Sequence, residues 1–287
     1  MKSKTLLSHR SIEPENGVLY LVATPIGNLA DISQRALNIL EKVFLIACED
    51  TRQTKKIMNT YKISNKLESF NLNNSFNKIP KIINFLNSGQ SIALVSDAGM
   101  PGICDPGEEL VKRTILAGNE VICIPGPCAA ITALVSSGLP SSKFIFEGFL
   151  PKKKKEREKI LLEISKSEKT IIIYESPHKI NALLKDLKEY CGGSREIRVA
   201  RELTKKFEEH IGQSIDELIN FFKNNEPKGE FTILVKGNLN KKNSTIDYLL
   251  LREELHELVN LGLTLSSASK YLAKKNNLSK SNIYNLY

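Results

Sequence analysis

The sequence predicts an α/β protein of two domains with a small helical segment at its C-terminus. Three observations carry this. Short apolar runs alternate with amphipathic stretches along most of the chain, the pattern of strands and helices in a mostly parallel sheet covered on both faces. Segments rich in glycine and proline close three of the apolar runs, and the carboxyl ends of strands are where open α/β sheets bind ligands. At 287 residues the chain is longer than one small domain requires.

Residues 18–23 read as the first strand, ended by Thr24-Pro25-Ile26-Gly27-Asn28. Asp31 is the expected N-cap of a helix to about Val43, with Ile32, Ala36, Leu37, Ile39 and Leu40 at helical spacing. Strands are expected at 44–48, 67–71, 91–96 and 120–124, and helices at 52–61 and 78–86. The run 91–96 is almost continuously apolar, as for a strand buried on both faces. A helix is expected over 106–117, with Pro106 in its first turn and Gly118 past its end. An apolar helix over 128–137 is closed by Gly138. The second half continues the alternation, with strands at 144–150, 170–174, 197–200 and 230–235 and helices at 152–165, 178–190 and 215–222. Residues 210–212 read as a short strand or turn, 238–244 as a polar linker and 246–287 as helical. In the last of these, Ala268, Leu272, Ala273, Leu278, Ile283 and Tyr284 have helix–turn–helix-like spacing. The expected organisation is a leader (1–17), an N-terminal α/β domain (18–130), a C-terminal α/β domain (131–238) and a helical appendage (239–287).

Composition narrows the function classes. Hydrophobic residues make up 41% and charged residues 25%, ordinary for a soluble globular protein. No apolar run reaches the roughly 18–20 residues of a membrane helix, and the polar start does not read as a signal peptide, so a cytoplasmic protein with no membrane partner is expected. The five cysteines form no CxxC pair and read as small buried thiols of a reducing compartment. The net charge of +9 suits a polyanion such as RNA, although a Lys-, Asn- and Ile-rich composition accounts for part of it.

Three loops carry the chemistry: 24–28, Ser96-Asp97-Ala98-Gly99-Met100-Pro101-Gly102, and Pro125-Gly126-Pro127-Cys128-Ala129. Glycine there permits positive φ and close approach of the backbone to a ligand; the competing reading is three tight turns. The chain has no G-x-x-x-x-G-K-[ST] and no G-x-G-x-x-G after its first strand. Pro25 also removes an N–H that a phosphate could use. The loops therefore suit a ligand without polyphosphate, such as S-adenosylmethionine.

Seven segments occur in order: LYLVATPIGNL (19–29), CEDTR (48–52), LVSDAGMPGICDPG (94–107), PGPCAAITAL (125–134), YESPHK (174–179), ARELTK (200–205) and GEFTILV (229–235). Through them the chain resembles the small-subunit ribosomal RNA (cytidine-2′-O)-methyltransferases of the tetrapyrrole-methylase superfamily, over residues 17–237 and more weakly beyond. The resemblance implies two α/β domains of the tetrapyrrole-methylase type, with S-adenosylmethionine in the cleft between them. It implies a homodimer that methylates the ribose 2′-hydroxyl of a cytidine in the decoding region of 16S ribosomal RNA, within an assembled or nearly assembled 30S subunit. It places the cofactor against Ser96, Asp97, Ala98, Gly99, Gly126, Cys128 and Ala129, with Tyr174 and Ala200 in addition; the strand-end loop reading adds Pro25 and Gly27 as cofactor candidates. Relatives of that family commonly carry a His-x-His-Asn-Glu-like stretch after the third strand. This chain has Asn71-Leu72-Asn73-Asn74-Ser75, of which only Asn74 matches.

A ribose hydroxyl is a poor nucleophile until it loses its proton, so a base would help by about 10²–10⁴-fold. Glu49, Asp50, Glu202 and Lys205 are the candidates; structural ion pairs with Arg52 and Arg201 are the alternative for each. His178 reads as a polar residue at a helix start. Arg52, Arg201, Lys152 and Lys153 are candidate RNA contacts, and the lysine run 152–155 equally suits a solvated helix face. No metal is expected, because a sulfonium already activates the methyl group. Two other classes stay open: a methylase of tetrapyrrole or corrinoid precursors on the same fold, and a non-enzymatic nucleic-acid binder, which leaves the three glycine loops unexplained.

Overall fold

Ten strands form two five-stranded sheets in a computed structural model that describes residues 12–238, 248–276 and 278–287. The described chain falls into two units divided after Gly237, and both sheets lie in the first. The first sheet contains β1 (Leu19–Val22), β2 (Leu45–Cys48), β3 (Leu67–Ser69), β4 (Ile92–Val95) and β5 (Val121–Ile124) in the order β3-β2-β4-β1-β5. Every pairing in it is parallel.

Period-two alternation sends successive side chains of these strands to opposite faces. Tyr20, Val22, Ile46, Cys48, Ala93 and Val95 pack with Ala36, Ile39 and Leu40 of α1 (Gln34–Lys42) and Ile57 and Met58 of α2 (Thr51–Tyr61). Leu19, Leu45, Ala47, Ile92 and Leu94 face the other way, onto α3 (Ser75–Asn87) and α4 (Glu108–Leu116). β2 and β4 are buried at every residue and β1 at all but the half-buried Leu21, which is why these three read as unbroken apolar runs. β1 and β4 are neighbours, yet α1 leaves β1 on one face and α4 leaves β4 on the other. That is a topological switch point, where open α/β sheets form a crevice at the carboxyl ends of the strands.

The second sheet contains β6 (Phe144–Phe149), β7 (Thr170–Glu175), β8 (Ile197–Arg201), β9 (Glu209–Ile211) and β10 (Phe231–Val235) in the order β6-β7-β10-β8-β9. A mostly parallel sheet was expected here and is not found. Only β6 and β7 are parallel; β10 runs antiparallel between β7 and β8, and β8 pairs antiparallel with β9. The closing strand enters the middle of the sheet, a pairing that no local pattern encodes. Helices α6 (Lys154–Lys166), α7 (Ile180–Cys191) and α8 (Ile215–Asn224) cover one face. The other face receives α5 (Ala129–Ser136) from the first half of the chain, with Ala130, Ala133 and Leu134 packed on Ile172, Ala200 and Leu234. The domain division expected after residue 130 therefore falls inside a helix that belongs with the second sheet.

Helix starts differ from expectation in two places. Asp31 does not cap α1; it ends a short 3-10 turn over Leu29–Asp31, and Ser33 caps α1 by accepting from the Ala36 N–H at 3.0 Å. Pro106 precedes α4 rather than opening it. The thiols differ too: Cys48 is buried, but Cys104 and Cys123 are exposed and none of the five is bonded to another.

The second unit has its own small core, in which Leu251 and Leu255 of α9 (Tyr248–Asn260) pack on Ala268, Leu272 and Ala273 of α10 (Leu265–Asn276) and Ile283 of α11 (Lys280–Tyr284). The expected spacing thus yields a buried face, except that Tyr284 is exposed. The linker over 238–244 lies, beyond Asn238, outside the described residues, as does most of the leader.

Candidate functional site

The loops after β1 and β4 are joined across the switch point. Thr24 and Gly99 exchange both backbone hydrogen bonds, at 2.9 and 3.0 Å. The buried hydroxyl of Thr24 donates to Ser96 O at 3.1 Å, and that of Ser96 to Gly99 O at 3.0 Å. Gly99 has φ +86, a conformation costly for any residue with a Cβ. Pro25 and Ser96 are buried behind the loop surface, whereas Gly27 is exposed. A Cβ on Gly27 would lie 2.4 Å from Lys205 Cγ, so the first loop lies flat on the turn after β8.

Against these loops lies a cavity of about 400 Å³, within the range of small-molecule sites. Of the expected cofactor residues, Asp97, Ala98, Gly99, Cys128, Ala129 and Tyr174 line it. Pro25, Gly27, Ser96, Gly126 and Ala200 do not. Gly126 has no positive φ, and a Cβ there would lie 2.7 Å from Ala23 Cβ, so its smallness lets the third loop pack on the chain just after the first strand. Ala200 is buried in the layer between β8 and α5.

Other wall residues escaped the sequence reading. Met100 belongs to the second loop, and Ile103, Cys104 and Asp105 extend it; Phe149 ends β6; Glu175 ends β7, and Ser176 and Pro177 follow it; Glu230 precedes β10, and Phe231 and Thr232 begin it. The antiparallel register sets Phe231 opposite Glu175 and Thr232 opposite Tyr174, so β7 and β10 reach the wall together. The Tyr174 hydroxyl accepts from Ala130 N–H at 2.9 Å, which serves an α5 N-terminus whose own cap residue, Cys128, makes no side-chain bond. Burial pushes the Tyr174 hydroxyl well above its ordinary pKa, so it remains protonated. Its ring meets Phe146 and Phe149 edge-on.

Four carboxylates line the cavity, from Asp97, Asp105, Glu175 and Glu230, and among the described residues no Lys, Arg or His does. Asp105 is pushed up to about 6, by burial first and then by Glu49 and Asp97, against a hydrogen bond from Ser96. Burial, then Asp50, raises Asp97 against the hydrogen bond it accepts from the Asp50 amide. Burial, Asp97 and Asp50 raise Glu49, which stands just outside the wall. Such a wall suits a cationic ligand and repels a phosphate.

The proposed bases sit differently from one another. Asp50 caps α2 and holds Arg52 in a two-pronged pair, with Nη2–Oδ2 at 2.6 Å. The Arg52 hydrogen bonds hold its carboxyl down to about 2, which makes it a weak proton acceptor. Glu202 and Lys205 lie outside the cavity wall in a triad with Glu230, both Lys205 contacts being 2.8 Å. Burial opposes the charge on each, but hydrogen bonding within the triad lowers Glu202 and raises Lys205. His178 is exposed in the turn before α7.

The proposed RNA contacts divide as well. The Arg52 side chain is 86% exposed despite its pair, and Lys152 and Lys153 are exposed at the start of α6. Arg201 is occupied internally, by Lys228 O at 2.7 Å and Glu209 at 3.0 Å.

Glu202 (φ +51) and Thr204 (φ +66) hold left-handed conformations in the turn that carries the triad, and Gly229 (φ +86) lies against it. A Cβ on Gly229 would lie 2.4 Å from Glu202 Cγ. Gly229→Ala should cost about 1–3 kcal/mol from backbone strain and displacement of Glu202. At roughly 2–4 °C per kcal/mol for a chain of this size, thermal unfolding should show it plainly; an unchanged midpoint would mean that the turn yields freely.

The family model for tetrapyrrole (corrin/porphyrin) methylases matches residues 18–219, and the chain belongs to that family. Within it, the chain is 44% identical over 270 residues to ribosomal RNA small subunit methyltransferase I of Synechocystis sp., covering 94% of this chain and 97% of that one. The protein of the same name from Thermotoga maritima is 45% identical over 221 residues, 77% of this chain and 99% of its own length. Among solved structures, a cobalamin biosynthetic enzyme, cobalt precorrin-4 methyltransferase, shares the fold with a TM-score of 0.58 at 15% identity, over 77% of this chain and 95% of its own. Among the described residues, no helix is long and apolar enough to cross a membrane.

Proposed function

We propose that this chain transfers a methyl group from S-adenosylmethionine to the ribose 2′-hydroxyl of a cytidine in the decoding region of 16S ribosomal RNA. In this reading it acts in the cytoplasm, as a homodimer, on an assembled or nearly assembled small subunit. The observation that carries the donor is the cavity wall, with four carboxylates, no Lys, Arg or His among the described residues and a largely apolar remainder. That chemistry fits a ligand that carries a sulfonium and an ammonium and no phosphate. The acceptor is supported by the relatives' name, at an identity sustained over nearly their whole length.

S-adenosylmethionine supplies a methyl group already activated by positive sulfur, so this reading requires no metal. The protein's part is to bind, align and exclude water. Ala98, Gly99, Cys128 and Ala129 line the cavity with small side chains or none. Asp97, Asp105, Glu175 and Glu230 favour positive charge, and the rings of Phe149 and Tyr174 offer faces on which a cation is attracted. Alignment of this kind is worth roughly 7–11 kcal/mol.

The test is mass spectrometry of digested ribosomal RNA from cells with and without the gene. Loss of one ribose-methylated cytidine in the deletion, restored by the wild-type gene, is expected. A lost mark on a base, or unchanged ribosomal RNA with an accumulating corrinoid precursor, would overturn the reading.

A further inference from the structure

A second cavity, of about 340 Å³, adjoins the first. Its walls come from the residue after β3 (Phe70), from Leu72, Ser75 and Ile79 at the start of α3, and from the turn into α4 with its first residues, Glu108 and Glu109. Asp105 lies in the walls of both cavities. Leu72 and Ser75, of the stretch 71–75, form one side. It is held in shape by Asn74, whose Oδ1 accepts from the Asn71 N–H at 2.9 Å and whose Nδ2 donates to Ser69 at 3.2 Å. Leu72 and Phe76 are 76% and 79% exposed, apolar groups left in the open beside the cavity.

This second wall disfavours a phosphate: it carries the carboxylates of Asp105, Glu108 and Glu109, and among the described residues no Lys, Arg or His lines it. It offers apolar surface and carboxylates. Glu109 is bound to Arg113 at 2.6 Å, whereas Glu108 has no ion pair among the described residues. Carboxylates accept hydrogen bonds from the exocyclic amine of cytosine, and apolar side chains flank a base turned out of its stack.

We infer that the second cavity receives the base of the acceptor nucleotide, and that Asp105, on the wall between the two cavities, is the catalytic residue that takes the proton from the ribose hydroxyl. The inference rests on the reading that the acceptor is an RNA ribose. Asp105 takes the 2′-hydroxyl proton while the oxygen's electron pair bonds the methyl carbon. The carbon–sulfur bond breaks with its pair left on sulfur, which becomes a neutral thioether. Nothing else is consumed.

Asp105 suits this role better than the four groups singled out by sequence. Glu202 and Lys205 line neither cavity, Glu49 likewise, and Asp50 is held low by Arg52. The groups facing Asp105 are Glu49 at the end of β2, Asp97 after β4, Cys104 beside it, Tyr174 of β7, and Glu108 and Glu109 of α4. The Ser96 hydroxyl has one proton and two acceptors in reach, Gly99 O and the Asp105 carboxylate. With its pKa pushed up to about 6, Asp105 is ionised at neutral pH yet close enough to it to accept a proton effectively.

The test uses purified full-length protein, labelled S-adenosylmethionine and small subunits from the deletion strain. Wild-type kcat should rise with pH through about 6, the value for the free protein, because only the ionised carboxylate accepts the proton. Asp105→Asn should lose 10²–10⁴-fold in kcat and that limb of the profile. Its calorimetric donor affinity should fall far less than kcat, by no more than about tenfold, because three of the four wall carboxylates, Asp97, Glu175 and Glu230, remain. Its melting temperature at pH 7.5 should be unchanged or higher: the raised folded pKa favours the protonated form, stability that is fully present below the unfolded value and lost as pH rises through about 6. Ser75→Trp, which fills the second cavity, should weaken subunit binding measured without donor at least fivefold and leave donor affinity alone. If Asp105→Asn keeps the wild-type rate and pH profile, or Ser75→Trp binds subunits normally, the inference is overturned while the functional reading stands. If wild-type protein methylates no ribosomal RNA, the reading falls and the inference falls with it.

Discussion

Gly99→Val is expected to lose at least tenfold in affinity for S-adenosylmethionine, about 1.4 kcal/mol or more, in a protein that still folds. Gly99 lies in the cavity wall with φ +86, where a β-branched residue is strongly disfavoured. A Cβ there would stand 3.3 Å from Ile26 Cγ2 and 3.6 Å from Pro127 O, so the larger side chain has room only if the three loops separate. Moving Gly99 also breaks its paired bonds with Thr24 and removes the acceptor used by the hydroxyl of Ser96. Gly118 provides the control. It has a similar φ of +79, open space where a Cβ would stand, and no place in the cavity. Gly118→Ala should lower stability by about 1–2 kcal/mol and leave donor affinity unchanged. Calorimetry showing full affinity in folded Gly99→Val would remove Gly99 from the donor site. Gly126→Val should act differently, through stability, since its Cβ would collide with Ala23 rather than enter the cavity.

The first sheet was legible because its strands obey local rules. Leu45 to Cys48 and Ile92 to Val95 are buried throughout, and Leu19 to Val22 except for the half-buried Leu21, so burial fixes their composition, and each is followed by a helix whose apolar stripe has the right period. The second sheet was legible only in its elements. β10 is as apolar as the parallel strands, with every residue buried, and nothing in such a run distinguishes a strand that enters antiparallel between β7 and β8. Capping was misread at Asp31 because Asp and Ser are both good caps, and the stretch Asp31-Ile32-Ser33 offers two starts two residues apart.

The site divides along the same line. Asp97, Ala98, Gly99, Cys128 and Ala129 sit in glycine- and proline-marked loops at strand ends, a signal carried by the residues themselves. Glu175, Glu230 and Thr232 reach the wall through the β7–β10 register, which couples residues more than fifty positions apart and leaves no local mark. Asp105 lay inside a segment already singled out, CDPG at the end of the second loop. Its distinction is electrostatic: partial burial beside Glu49 and Asp97, groups brought from the ends of β2 and β4. Glu202 and Lys205 illustrate the converse. Their spacing invites a catalytic reading, but their hydrogen-bonded triad uses charge to hold a strained turn.

A chain ending at Asn238 is expected to bind S-adenosylmethionine like the full-length protein and to bind small subunits more weakly, with a shallower salt dependence. Every residue of both cavities lies in the first unit, and the second has a core of its own. The Thermotoga maritima relative, matched over 99% of its length by 221 residues, is no larger than the first unit. What removal of the second unit costs is charge. Lys270, Lys274, Lys275 and Lys280 are all exposed on α10 and α11, and residues 265–287 contain no Asp or Glu. Lys275 is engaged by Glu254, which leaves Lys270, Lys274 and Lys280 without a carboxylate partner among the described residues. Each phosphate contact contributes about 0.7–0.9 to the slope of log affinity against log salt. Loss of these three should therefore lower that slope by about 2.1–2.7, with the greatest loss of affinity at low salt. Replacing the three lysines by Gln in the full-length chain should reproduce the change in slope without altering the core of the unit. If truncation weakens binding with the slope unchanged, the second unit acts through protein contacts, and sedimentation of the truncated chain would then reveal a change in its oligomeric state.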